Sequence, residues 1–162
     1  EGGIADALKL AEHFAGGCKI VVMLGDNVIG GSIKPYVNKF LSQKKGARII
    51  IKRVTNPSRF GVVEFKGSKI VSIEEKPKRP KSNFIVTGIY MYDNQVFDII
   101  RKLKPSGRGE LEITDVNNEY LARKQLYFDE LKCWWTDCGA FDSLLYANNL
   151  VAKFSRNKKC TL

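Results

Sequence analysis

The sequence predicts an α/β domain whose mixed, mostly parallel sheet is flanked by helices. Three observations carry this. The first third alternates helix, strand, helix, strand, an order that lays helices against a largely parallel sheet. The middle third holds three strand-like runs with turn signals but no helix between them, so antiparallel pairing is added there. The last third returns to helical spacing.

In order, Ile4, Leu8, Ala11 and Phe14 recur at helical spacing, and Gly16-Gly17 supplies the stop. Residues 19–24 form a short, almost wholly apolar run, the pattern of a strand buried on both faces. It ends at Gly25-Asp26-Asn27. A second helix is expected with Ser32 as N-cap, Pro35 in its first turn, Tyr36, Val37, Phe40 and Leu41 buried, and Gly46 as stop. The Ile-rich run 47–54 is the next strand.

Beyond Asn56-Pro57-Ser58, strands are expected at 61–65, 69–74 and 84–92, the first two joined by a hairpin at Gly67-Ser68. Asp93 or Asn94 caps a short helix ending near Leu103. Residues 110–124 read as a helix burying Leu111, Val116, Tyr120 and Leu121. Residues 125–135 read as one or two strands, 136–139 as a loop and 141–154 as a closing helix. No repeat, low-complexity segment or linker divides the chain, so residues 1–162 are expected to form a single domain.

Composition narrows the function classes. At 44% hydrophobic and 27% charged residues the chain is globular rather than disordered. Its longest apolar run, 20–24, falls far short of the roughly 20 residues of a membrane span. The formal charge of +10 favours anionic partners: nucleic acid, an acidic membrane surface or phosphorylated small molecules. The cations are scattered, which disfavours a nucleic-acid groove. The local concentrations at 76–81 and 156–159 read as a solvated loop and a solvated tail. Cys18, Cys133, Cys138 and Cys160 show no C-x-x-C spacing and the only histidine is His13, so no structural zinc is expected. No basic-then-apolar leader opens the sequence, and reduced thiols in the cytoplasm are expected.

Ligands of open α/β sheets bind beyond the carboxyl ends of strands, and polar residues gather at such ends here. Asp26 follows the first apolar strand, Glu74, Glu75 and Lys76 end another, Thr87-Gly88 interrupts a third, and Asp137 follows Trp134-Trp135. Two carboxylates from different strand ends can seat Mg²⁺, which takes a few carboxylates plus phosphate oxygens. Lys76 and Arg108 can offset phosphate charge, Arg as a bidentate fork. Gly88 weakens its strand unless something must approach its backbone closely. Each signal also has an ordinary structural reading: a turn at Gly25-Asp26-Asn27, a strand end stopped by Pro77, a flexible loop around Arg108, core packing for Trp134-Trp135, and a surface role for His13.

The order of the motifs adds more. GGIADAL (2–8), LGDN (24–27), NPSRFGVVEF (56–65), SIEEKP (72–77), KSNFIVTGIYMYD (81–93), GRGELEITD (107–115) and WTDCGAFD (135–142) together resemble the sugar-1-phosphate nucleotidylyltransferases, and among them the glucose-1-phosphate thymidylyltransferase branch. The resemblance runs from Gly3 to about Ala147 and implies the nucleotide-diphospho-sugar transferase fold, Rossmann-like in layout. It implies that Asp26 and Asp137 hold Mg²⁺ and that Lys76 and Arg108, the catalytic cations, hold the sugar phosphate. Glu75 would bind sugar hydroxyls, Gly61 and Gly88 would offer backbone groups to the sugar with Asn83 and Thr87 nearby, and Gly3 would lie against the base.

Three departures accompany the resemblance. A Gly-rich G-G-x-G-T-R segment, which wraps the triphosphate in the family, is absent from the 162 residues, so the resemblance implies a domain truncated at its N-terminus. The family's D-T-G is Asp137-Cys138-Gly139 here. Asp6 and Phe60 stand where the thymidylyl enzymes commonly carry Gln and Tyr.

The implied activity is transfer of a nucleotidyl group from a nucleoside triphosphate, dTTP, to glucose 1-phosphate, giving nucleotide sugar and pyrophosphate. The alternative is a non-catalytic sugar-phosphate binder or regulatory remnant of such an enzyme. Residues 19–24, apolar on both faces, are further expected to form a sheet edge through which the chain associates with a second copy.

Overall fold

The structure is a computed structural model that describes residues 2–155; Cys160 and the basic run 156–159 lie outside the described residues. The chain begins with α1 (Ile4–Lys9) and α2 (Glu12–Ala15), two short helices where the spacing predicts one. Of the periodic residues Leu8 is buried, Ile4 and Ala11 are half-buried, and Phe14 is exposed. β1 (Ile20–Met23), β2 (Asn27–Ile29), α3 (Lys34–Ser42) and β3 (Ala47–Arg53) follow. After a 3₁₀ turn at Pro57–Arg59 come β4 (Gly61–Lys66), β5 (Lys69–Glu75) and β6 (Phe84–Tyr92). α4 (Gln95–Ile100), α5 (Ile113–Ala122), β7 (Leu126–Glu130), β8 (Trp135–Asp137) and α6 (Phe141–Ser155) complete the described order.

Six strands form one sheet in the order β5-β4-β6-β3-β7, with β1 paired to β6 beside β4. The sheet is mixed, but among the described pairs only β3 with β7 is parallel. The reason is β6. β1 and β3 do run in the same direction, as the alternation of the first third implies. The long hydrophobic β6 inserts between them and runs antiparallel to both, with Ile20 opposite Tyr92 and Arg48 opposite Met91. The hairpin at Gly67 is as expected, with Gly67 at φ 62°, a conformation that suits glycine.

β1 is not buried on both faces. Its burial alternates: Ile20 and Val22 pack on the core, while Val21 and Met23 are 43% and 44% exposed. Among the described strands it pairs only with β6, leaving its outer edge open. Two cores flank the sheet. Ile49, Ile51, Val86, Tyr90 and Tyr92 face α1, α4 and α5, whereas Ile50, Ile89 and Met91 face Phe40 of α3. This is the period of two of a strand, read on both faces of β3 and β6.

Three polar side chains fix the helix ends. Ile33, not Ser32, holds the N-cap position of α3, and the Ser32 hydroxyl accepts from Lys34 N at 3.1 Å. At the other end the Lys19 ammonium donates to the carbonyls of Phe40 (3.0 Å), Leu41 (3.1 Å) and Gln43, a cation at a helix C-terminus. Leu41 itself is exposed. Asp93 closes β6: Oδ1 accepts from Gln95 N at 3.2 Å and from the Tyr120 hydroxyl at 2.7 Å, and Oδ2 from Gly46 N and Gln95 Nε2. Burial alone would push the Asp93 carboxyl up, but these four donors hold it below the usual carboxylate range. The capping side chain of α4 is thus Asp93, while Asn94 occupies the cap position without a side-chain bond.

Candidate active site

A cleft of about 470 Å³ opens beyond the ends of β1 and β5 and the start of β4, over the middle of β6. Its acidic wall is built by a ribbon the sequence reading missed. Beyond Met23, Leu24 N donates to Gly88 O at 2.8 Å and the chain turns so that Asn27 N reaches Leu24 O at 3.1 Å. β2 then pairs antiparallel with β8, Asn27 opposite Asp137 and Ile29 opposite Trp135, in place of the loop expected at 136–139. Cys138 N donates to Asp26 O at 2.7 Å. Asp26 and Asp137, far apart in sequence, therefore sit side by side. A Cβ built on Gly139 would lie 3.3 Å from Asp137 Oδ2 and 3.7 Å from Asp26 Oδ2, so both oxygens face one space.

A further part of the lining comes from the β4–β5 hairpin. Glu75 accepts a hydrogen bond from the Thr114 hydroxyl of α5. Gly61 makes room for that pair, since a Cβ there would be 3.1 Å from Thr114 Oγ1 and 3.3 Å from Glu75 Oε2. Lys76 lines the cleft at φ 44°, in the left-handed region and directly before Pro77. Such a conformation is costly for a side-chain-bearing residue and is held here by Lys76 N donating to Phe60 O at 3.0 Å. Tyr90 also lines the cleft; burial, then the charges of Glu75 and Asp26, push its phenol far up, so it stays neutral.

Asp26, Asp137, Glu75, Lys76, Gly61 and Gly88 all line this cleft. Four expected residues do not. Thr87 is 0% exposed and its hydroxyl donates to Ile50 O at 2.9 Å. In β6 the cleft face carries Val86, Gly88 and Tyr90, so the intervening Thr87 points toward α3 with Ile89 and Met91. Asn83 precedes β6, exposed, with its carbonyl accepting from Val54 N. Arg108 is held by Glu112 at 2.9 Å and Glu110 at 3.0 Å outside the cleft lining. Burial raises the Glu112 carboxyl, yet hydrogen bonds from Arg108 and Ser106 bring it below the usual range. Gly3 lines an adjoining hollow with Asp6 and Glu110, and Ile4 borders both spaces. A Cβ on Gly3 would meet Leu111 O at 2.6 Å, so close main-chain approach explains that glycine.

Sequence reasoning missed three residues that shape the cleft. Arg59, from the NPSR turn, places its guanidinium 3.6 Å from Asp137. Trp135 and Asn27 also line it, and Trp135 Nε1 donates to Asn27 Oδ1 at 2.7 Å. The two acids fit a Mg²⁺ ion by their chemistry: hard oxygens converging on one space, with no third His, Cys, Asp or Glu clustered beside them among the described residues. A cation there would draw its remaining ligands from phosphate and water.

Residues 1–153 match the nucleotidyl transferase family. The chain belongs to that family. Among its curated relatives, glucose-1-phosphate thymidylyltransferase of Neisseria meningitidis is 43% identical over 153 residues, covering 92% of this chain and 53% of the relative. The protein of the same name from Mycolicibacterium smegmatis is 45% identical with the same coverage. The nucleotidyl transferase chain thus spans about half the length of these relatives. Its structure resembles that of a glucose-1-phosphate thymidylyltransferase from Bacillus anthracis, solved with sucrose, at a TM-score of 0.87 and 54% identity over 92% of this chain and 61% of that one. A UDP-glucose pyrophosphorylase complexed with UDP-glucose superposes at a TM-score of 0.85 with 23% identity, which supports the fold alone. The fold is that of the nucleotide-diphospho-sugar transferases. No described helix is long and apolar enough to cross a membrane.

Proposed function

We propose that this nucleotidyl transferase chain carries the sugar-phosphate side of an active site that transfers a thymidylyl group from dTTP to glucose 1-phosphate. A phosphate oxygen of the sugar attacks the α-phosphorus, the bond to the β-phosphate bridge breaks, and pyrophosphate leaves. The observation that carries the reading is the convergence of Asp26 Oδ2 and Asp137 Oδ2 on one space in a cleft that Glu75 and Lys76 also line.

Such a transfer asks the protein mainly to align two polyanions and offset their charge. Asp26 and Asp137 would hold Mg²⁺, which when bound neutralises phosphoryl oxygens. Lys76, with its backbone fixed, presents its ammonium to the sugar phosphate. Glu75, oriented by Thr114, accepts from sugar hydroxyls, and Gly61 leaves the ring space beside it. Arg108 serves as an outer cation at the entrance, poised by Glu110 and Glu112. Gly3 borders the neighbouring hollow proposed for the base. Gly88 has no free backbone group for the sugar: its N–H binds Asn27 Oδ1 and its carbonyl binds Leu24 N.

The proposed compartment is the cytoplasm, in keeping with free thiols at Cys18, Cys133 and Cys138. The proposed partner beyond the substrates is a second copy, met at the open edge of β1. Calorimetry of this chain with glucose 1-phosphate and with each nucleoside triphosphate plus Mg²⁺ tests the reading. Binding of glucose 1-phosphate is expected, with or without dTTP, and failure to bind glucose 1-phosphate would overturn the proposal.

A further inference from the structure

We infer that Asn27 is the positioning residue that sorts the two oxygens of Asp26, leaving one free for a cation. The inference deepens the proposed function and rests on Asp26 and Asp137 as cation ligands. A carboxamide has one acceptor oxygen and one NH₂ donor. In Asn27, Oδ1 accepts twice, from the main-chain N–H of Gly88 at 2.9 Å and from Trp135 Nε1 at 2.7 Å. Those two donors decide which end of the amide is oxygen. The NH₂ group is left facing Asp26, and Nδ2 donates to Asp26 Oδ1 at 2.8 Å.

The consequence falls on the other oxygen. Asp26 Oδ1 is occupied by Asn27, while Oδ2 is the atom that shares a space with Asp137 Oδ2. Asn27 therefore presents Asp26 as a one-oxygen ligand with a fixed direction. It is buried, and it pins three separate pieces of chain: the turn after β1, the middle of β6, and β8. The same contact accounts for Gly88, because a Cβ there would lie 2.4 Å from Asn27 Nδ2. Partners that orient a metal ligand commonly govern affinity by about 10- to 100-fold.

Mn²⁺ uptake by this chain, counted by the electron paramagnetic resonance of the free ion, supplies the test alongside thermal melting. Asn27→Ser should weaken Mn²⁺ binding about ten-fold or more while Asp26→Asn abolishes it. Loss in Asp26→Asn with unchanged affinity in folded Asn27→Ser would overturn this inference alone. Unchanged binding in Asp26→Asn would overturn the cation reading beneath it. A purely structural Asn27 would lower the melting temperature and leave the folded protein's Mn²⁺ affinity intact. Should Asn27→Ser not fold, the unmodified protein decides. Its Asn27 side-chain NH₂ resonances should exchange slowly with water and shift on Mg²⁺ addition; a freely exchanging pair that Mg²⁺ does not move would overturn the inference.

Discussion

The main-chain N–H of Cys138 donates to the carbonyl of Asp26 at 2.7 Å, so the residue that follows one cleft acid is tied to the peptide of the other. Together with the pairing of Asn27 to Asp137, this bond makes the acidic wall a property of a short backbone ribbon rather than of the large sheet. Cys138→Pro removes that N–H. The expected outcome is loss of Mn²⁺ uptake with the far-ultraviolet circular dichroism of the sheet retained. Cys138→Thr, which keeps the N–H, should bind as the parent does.

Lys76 is held at φ 44° by its main-chain bond to Phe60, so its side chain can be removed without releasing the backbone. Lys76→Ala should weaken glucose 1-phosphate by at least ten-fold and free glucose hardly at all in calorimetry. Equal losses for the two ligands would show that Lys76 does not read the phosphate.

Gly88→Ala sets a methyl group against Asn27 Nδ2 at 2.4 Å and against Leu24 Cδ1 at 2.9 Å. Leu24 can turn toward the cleft, but the buried Asn27 amide is held by three hydrogen bonds, and a destabilisation of about 1–3 kcal/mol is expected from overpacking. Denaturant melts measure it, and Mn²⁺ affinity should fall in the same variant because the amide is displaced. A neutral substitution on both counts would contradict the close approach.

Asp93 supplies a pH-dependent share of stability. Its folded-state carboxyl lies below the ordinary range because Gly46, Tyr120 and Gln95 donate to it. The contribution is therefore complete above the unfolded carboxylate range and lost as pH falls through the folded value. Asp93→Asn should cost about 1–3 kcal/mol at pH 7. The gap to the parent should close from about pH 5 downward. A gap independent of pH would assign the loss to packing.

Val21 stands exposed on β1, whose outer edge is unpaired among the described strands. Open apolar edges recruit further strands, and a lysine blocks them. Sedimentation should show self-association of the parent chain and a monomer for Val21→Lys. A parent that sediments as a monomer would remove the edge from the list of interfaces.

The bounds of β6 were legible as 84–92 because a strand buried on both faces is an almost unbroken apolar run. The β4–β5 hairpin was legible through Gly67-Ser68. The antiparallel pairing of β6 with β1 and β3 was not, because nothing in the sequence near β1 or β3 records that β6 comes to lie between them. β2 escaped notice since its three residues directly follow a turn and carry no period of their own. In the site, Asp26, Glu75, Lys76 and Asp137 could be named from motifs at strand ends. Thr87 could not be assigned to a face without a register, and one step along β6 reverses the answer. Asn27 and Arg59 were visible only as turn residues; their partners, Trp135 and Gly88 for one and Asp137 for the other, are distant in sequence.

The ribbon of β2 and β8 comprises three residue pairs, against the six strands of the main sheet. Short peripheral pairings open at lower free energy than a central core. Warming should accordingly part Asp26 from Asp137 while the bulk of the molecule is still native, so that ligand capture fades at temperatures where spectroscopy records no melting. Any additive or neighbouring chain that clamps this small clasp would widen the working temperature range without altering the midpoint of global unfolding.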